Sequence, residues 1–252
     1  MKRVNEMAGS TVQRGVKEEL VMISVKKAAA VAFVLALFGG IAMTPGQSLA
    51  QAPAAPAPPD AATVVANVQA FYDKTSSFNS GFQQMYVVKA YNQTKTSAGN
   101  VVFLKPGKMD WTYSDPPGNR IVSDGAVLRV YEAANKQMYQ QNVNQSQYPA
   151  ALAFLTGQGK LAALFNFQLF PGAQMQFPGG YVLVGDPVQP TPAYTKVLFY
   201  VDAATWQVRR VLILDGQGNR NRFDFTSPLI NQPIPTTQFV FTPPPGTTIV
   251  QP

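Results

Sequence analysis

From Phe78 onward, the apolar residues of this chain recur at every second position rather than every third or fourth. Phe78, Phe82, Tyr86 and Val88 share one parity, and Met109, Trp111 and Tyr113 alternate with Lys108, Asp110 and Thr112. A period of two places successive side chains on opposite faces of an extended strand. The pattern predicts strands at 78–91, 99–104, 108–113, 119–123, 126–131, 136–143, 166–170, 181–185, 194–201, 206–214, 219–226 and 238–242. Turn signals separate them: Pro116-Pro117-Gly118, Asp124-Gly125, Gly179-Gly180, Asp202–Thr205 and Asp215–Gly218, with Pro243-Pro244-Pro245-Gly246 ending the last. Such short connections leave no room for crossovers, so the sheet is expected to be antiparallel.

Only two stretches have helical spacing. Asp60 can cap a helix over 60–74, in which Val64, Val65, Val68, Phe71 and Tyr72 form one apolar stripe. Leu152, Phe154, Leu155, Leu161, Leu164 and Phe165 suggest short helical turns within 148–165, interrupted at Gly157-Gln158-Gly159. These helices cannot cover both faces of so large a sheet, and a sheet left open exposes its edges. The expected fold is mainly β (α+β): an unclosed antiparallel β-barrel of about ten or eleven strands with a lid of three short α-helices. More than eight curled strands leave room for a hydrophobic cavity. A fully packed core would show the same alternation, so the pattern alone leaves both interiors open.

The first fifty residues read as an address. Lys26-Lys27 precede an uncharged run from Ala28 to Met43, Thr44-Pro45-Gly46 break it, and Ser48-Leu49-Ala50 offers a small-residue cleavage site before Gln51. The run is short for a membrane-spanning helix, although an uncleaved anchor is the competing reading. Residues 1–50 are thus an N-terminal extension and cleaved signal, with the signal itself at 22–50 and Met22 a more ordinary start. Residues 51–59 are a Pro/Ala spacer, and 60–252 a single domain. The expected location is the periplasm.

The chain has no histidine and no cysteine. Triads, imidazole acid–base chemistry, thiol nucleophiles, disulfides and Cys/His metal sites are therefore excluded. The carboxylates Asp110, Asp115 and Asp124 leave the one remaining catalytic route, and Asp115-Pro116 and Asp124-Gly125 read better as turns. No enzyme activity and no cofactor are expected. The formal net charge of +7 is not gathered into a basic run, so no nucleic-acid partner is expected. Arg209, Arg210, Arg220 and Arg222 flank one hairpin; they read as a solvated edge or as a docking patch.

Ser76-Ser77-Phe78, Phe82-Gln83-Gln84, Ser97-Ala98-Gly99, Leu104-Lys105-Pro106-Gly107-Lys108-Met109-Asp110-Trp111, Asp115-Pro116, Ser123-Asp124-Gly125, Phe154-Leu155-Thr156-Gly157 and Phe239-Val240-Phe241-Thr242-Pro243-Pro244-Pro245-Gly246 form an ordered series. The series resembles the LolA family, periplasmic carriers of outer-membrane lipoproteins, over roughly 60–250. The resemblance implies a periplasmic chaperone for acylated lipoproteins, with an inner-membrane ABC lipoprotein exporter as donor and an outer-membrane lipoprotein receptor as acceptor. A monomer is expected. Cavity candidates are Val64, Val68, Phe71, Phe78, Phe82, Phe103, Met109, Trp111, Leu128, Leu152, Leu155 and Leu161, and the lid-latch candidate is Lys105. The family's usual arginine is replaced here by Lys105, a point donor without a planar fork. A solvated lysine and an ordinary core are the plain alternatives for these sites. A carrier of another envelope lipid, or a non-binding structural envelope module, is the alternative for the whole.

Overall fold

The computed structural model describes residues 58–143, 155–157 and 159–250. Helix α1 (Ala61–Asp73) begins where Asp60 caps it, the Asp60 carboxylate accepting from Thr63 N at 2.8 Å. Its apolar stripe is buried through Val64, Val65, Val68 and Tyr72. Twelve strands follow in one sheet: β1 (Ser77–Val88), β2 (Gln93–Leu104), β3 (Lys108–Asp115), β4 (Pro117–Asp124), β5 (Val127–Glu132), β6 (Gln137–Asn142), β7 (Phe165–Pro171), β8 (Gly180–Pro187), β9 (Lys196–Asp202), β10 (Val208–Leu214), β11 (Arg220–Ile230) and β12 (Thr248–Val250). The order across the sheet is β12-β6-β5-β4-β3-β2-β1-β11-β10-β9-β8-β7. The terminal strands β12 and β7 do not pair with each other, so the barrel is unclosed. A second helix, α2 (Leu161–Leu164), lies before β7, with a single 3-10 turn at 155–156 ahead of it.

The sheet curls around one face. Side chains from β1 to β5 and β7 to β11 join α1, Leu155 and Leu161 in a single buried apolar cluster. Gly99 stands opposite Phe82 in register, at an irregularity in the pairing of β2 with β3. A Cβ at Gly99 would come within 2.1 Å of the Thr112 carbonyl and 2.9 Å of the Phe82 ring, so glycine lets the neighbouring strand and this ring close in.

Two expectations are corrected. Residues 238–242 do not form a strand: Thr236–Phe239 is a 3-10 turn, and the chain then runs extended across the outer face. Phe239 packs on Val102 and Val122, and the Phe241 ring lies 5.5 Å from Tyr131. Alternation marks an extended segment with one buried face, but here that face rests on top of a sheet instead of beside an edge. The true last strand follows the Pro/Gly turn and pairs parallel with β6, through Ile249 and Met138. The other pairings are antiparallel, as expected. Boundaries also shift: β1 stops at Val88 before a 3-10 turn at Lys89–Tyr91, and β2 starts at Gln93 because pairing with β1 continues through the polar stretch 93–98.

Candidate lipid chamber and lid clasp

The described cavity candidates come together on the concave face. Val64, Val68, Phe78, Phe82, Phe103, Met109, Trp111, Leu128, Leu155 and Leu161 all belong to the inner cluster, and Phe71 packs against it half-buried. Leu152 lies outside the described residues. Parity explains the convergence: β3 sends Met109 and Trp111 inward, while Asp110 between them faces out. Trp111 is the hub of the aromatic wall. Its ring centroid lies 4.9 Å from Phe82, 5.1 Å from Phe223, 5.8 Å from Phe103 and 6.3 Å from Phe225.

Among the described residues, Asp110 is the one buried carboxylate or cation, and it faces the outer side, against Arg120 and Gln238. Burial raises the pKa of both Tyr72 and Tyr194, so each stays neutral. The Tyr72 hydroxyl accepts from Val208 N at 3.1 Å and ties α1 to β10. The wall is therefore suited to apolar matter and offers an anion or cation no countercharge.

The helical elements are held to the rim by side-chain bonds around the C-terminal end of α1. The Lys105 ammonium donates to the Tyr72 carbonyl, a last-turn carbonyl of α1 that also accepts from Thr75 N at 3.0 Å. The Lys105 stem lies beside Gly157: a Cβ there would sit 2.9 Å from Cδ and 3.1 Å from Cε. Gly157 also has φ +79°, a left-handed value that suits glycine. The Thr156 carbonyl accepts from Gly107 N at 3.1 Å. Lys105 thus touches both α1 and the 155–157 turn. Desolvation by burial lowers its pKa first, the nearby Lys160 lowers it too, and Asp73 opposes them.

Three residues of this clasp were not picked out from the sequence. Gln69 donates to Asp73 Oδ1 at 2.8 Å and accepts from Leu161 N at 2.8 Å, so it caps α2 from α1. Lys160 donates to Asp73 Oδ2 at 2.9 Å. The Lys160 and Gln69 side-chain bonds hold the Asp73 pKa below the ordinary carboxylate value. The available signal was the Gln69/Asp73 pair at i, i+4 on the polar side of α1.

Two of the carboxylates considered for catalysis, Asp110 and Asp124, have structural partners. Asp110, on the outer face, is buried under the C-terminal strap. Arg120 grips it with two bonds of 2.9 Å, and Gln238 donates to it as well. Asp124 accepts from Ala126 N at 2.9 Å and Val127 N at 2.8 Å, and pairs with Arg129 at 2.9 Å. Of the four arginines read as a patch, Arg210 and Arg222 both converge on Asp224, at 2.5 and 2.8 Å.

A family model described as outer membrane lipoprotein carrier protein LolA matches residues 73–242. The outer-membrane lipoprotein carrier protein of Bordetella avium is 26% identical over 184 residues, covering 73% of this chain and 85% of that protein. Its counterpart in Bordetella pertussis is 26% identical over 197 residues, covering 78% of this chain and 90% of the relative. The crystal structure of a LolA superfamily protein from Nitrosomonas europaea matches with a TM-score of 0.42 and 12% identity, covering 73% of this chain and 99% of that one.

Proposed function

This chain belongs to the LolA family of outer-membrane lipoprotein carriers, and from that premise we propose that it is a periplasmic chaperone that takes up the acyl chains of lipoproteins released from the inner membrane and carries them to the outer membrane. The observation that carries this reading is the apolar concave wall centred on Trp111 and Met109, beneath helical elements that rest on it by apolar contact and are joined by a few side-chain bonds. An inner-membrane ABC exporter is the donor and an outer-membrane lipoprotein receptor the acceptor. Export by the 22–50 signal delivers a mature chain beginning at Gln51.

The physical problem is solubility. Each methylene exposed to water costs about 0.8 kcal/mol, so a multiply acylated N-terminus cannot cross an aqueous compartment uncovered. A carrier without an energy source must also let go. A lid that closes over the empty chamber competes with the ligand and lowers its affinity by the free energy of closure. Lys105, Gln69, Asp73 and Lys160 set that closure, while Trp111, Phe82, Met109 and their neighbours receive the chains. Met109 adds an adaptable thioether to an otherwise rigid aromatic wall.

Calorimetric titration with a short acylated peptide tests the reading. Saturable binding is expected with the acylated peptide and none with the same peptide lacking its chains. Equal behaviour of the two peptides would overturn it.

A further inference from the structure

At the centre of the aromatic wall lies a donor with nothing to bond. Trp111 is 2% exposed, and among the described residues its indole Nε1 has no hydrogen-bond partner. The surrounding rings of Phe82, Phe103, Phe223 and Phe225 supply no oxygen. Tyr113, two residues along the strand, donates to Gln84 Oε1 at 3.2 Å, and the indole N–H makes no bond to its oxygen. Buried donors in native proteins are nearly always paired, and an orphan costs the desolvation of its N–H. An edge-on approach to a phenyl ring recovers only part of this. Phenylalanine would give most of the same ring packing without the penalty.

We infer that the Trp111 indole N–H is a recognition donor for the carbonyl at the head of an acyl chain, so that the chamber distinguishes fatty acyl groups from plain hydrocarbon. This rests on the reading of the chamber as an acyl site and adds its one polar contact. The carbonyl oxygen is an acceptor that an alkyl chain lacks, and in a dry aromatic setting a bond to it is strengthened. Each acyl chain carries its single carbonyl at the end attached to the headgroup. The contact therefore also sets how deep a chain enters: methylenes run beyond Trp111 into the chamber, and the headgroup stays on the other side. The class of ligand is an ester or amide of a fatty acid, whatever the headgroup.

The test is a two-by-two titration by calorimetry. Native protein and Trp111→Phe are each titrated with dioctanoylglycerol and with the dioctyl ether of glycerol, which has the same chains and no carbonyl. The native protein is expected to prefer the ester by about tenfold, the value of one well-placed neutral hydrogen bond. Trp111→Phe is expected to bring the ester-to-ether affinity ratio to about one, whatever the change in its absolute affinity for the ether. A peptide carrying the same two ester-linked chains is expected to lose the same factor on substitution, because the contact is to the chain and not the headgroup. Equal affinity of native protein for ester and ether would overturn the inference, and this arm stands even if the variant does not fold. A preference that survives in Trp111→Phe would overturn it too. Failure of both lipids to bind native protein would instead bring down the acyl-site reading itself, and the inference with it.

Discussion

The Lys105 ammonium is bonded to the Tyr72 carbonyl, so the first residue of the β2–β3 turn holds the C-terminal end of α1. Its stem is seated against Gly157 at the same time. One side chain therefore reports on two lid elements, and its removal should free both.

In Lys105→Leu the apolar contact with Gly157 is kept and the bond to α1 is lost. Amides in the last turn of α1 and in 159–164 are expected to exchange faster by hydrogen–deuterium exchange, while those of β9 and β10 stay unchanged. Acyl ligand should enter readily and leave several-fold more slowly, because closure no longer competes with it. Lys105→Arg should restore native exchange. Unchanged exchange in Lys105→Leu would show that the bond does not hold the lid.

Much of this arrangement was legible in the sequence, for a definite reason. The period of two along 108–113 dictates that Met109 and Trp111 share a face, and the i, i+4 spacing of α1 dictates that Val64 and Val68 meet it. Local rules of this kind need no knowledge of the tertiary fold. Phe239 and Phe241 were misassigned because their alternation is real, yet what they pack on is set by a chain crossing the sheet. The partnership of Lys160 with Asp73 spans 87 positions, and no local signal marks it. Lys105 was singled out only through the family motif; its lysine stem and the glycine beside it are a contact that neither residue announces alone.

The C-terminal strap depends on Arg120. Its guanidinium binds Asp110, donates to the Gln238 carbonyl at 2.9 Å, and lies 5.1 Å over the Phe241 ring. Asp110 is 1% exposed, so removing the arginine strands a buried carboxylate. Arg120→Met is expected to cost about 3 kcal/mol in urea unfolding, and Arg120→Met with Asp110→Asn clearly less. Equal costs would show that strap packing, and not the stranded charge, dominates.

Acid should find Asp124. Burial alone would raise its pKa, but the Val127 and Ala126 N–H groups and the Arg129 guanidinium outweigh it and hold the pKa at about 2. A depressed carboxylate contributes stability that is present above its unfolded value near 3.8 and is lost as pH falls through about 2. The group is partly exposed, so its contribution is about 1 kcal/mol after screening. Asp124→Asn should be less stable than native protein by about that amount at pH 7 and by nearly nothing at pH 2. A penalty independent of pH would assign the loss to the turn's hydrogen bonds alone.

Met109 separates a receptive wall from a solid core. It is 3% exposed and shares its inward face with Trp111. If the chamber opens to admit chains, the carboxyl of Met109→Glu can reach water through it. The variant should then fold, with its thermal midpoint lowered, and bind acylated peptide at least about tenfold more weakly. Outright unfolding would mean that this position is permanently packed.

The most direct measurement is native mass spectrometry of the protein purified from its own periplasm without detergent. The account predicts a fraction carrying one lipoprotein whose mass includes its acyl chains, displaced when a competing acylated peptide is added. Recovery of the bare chain alone, or of a chain carrying only free phospholipid, would contradict it.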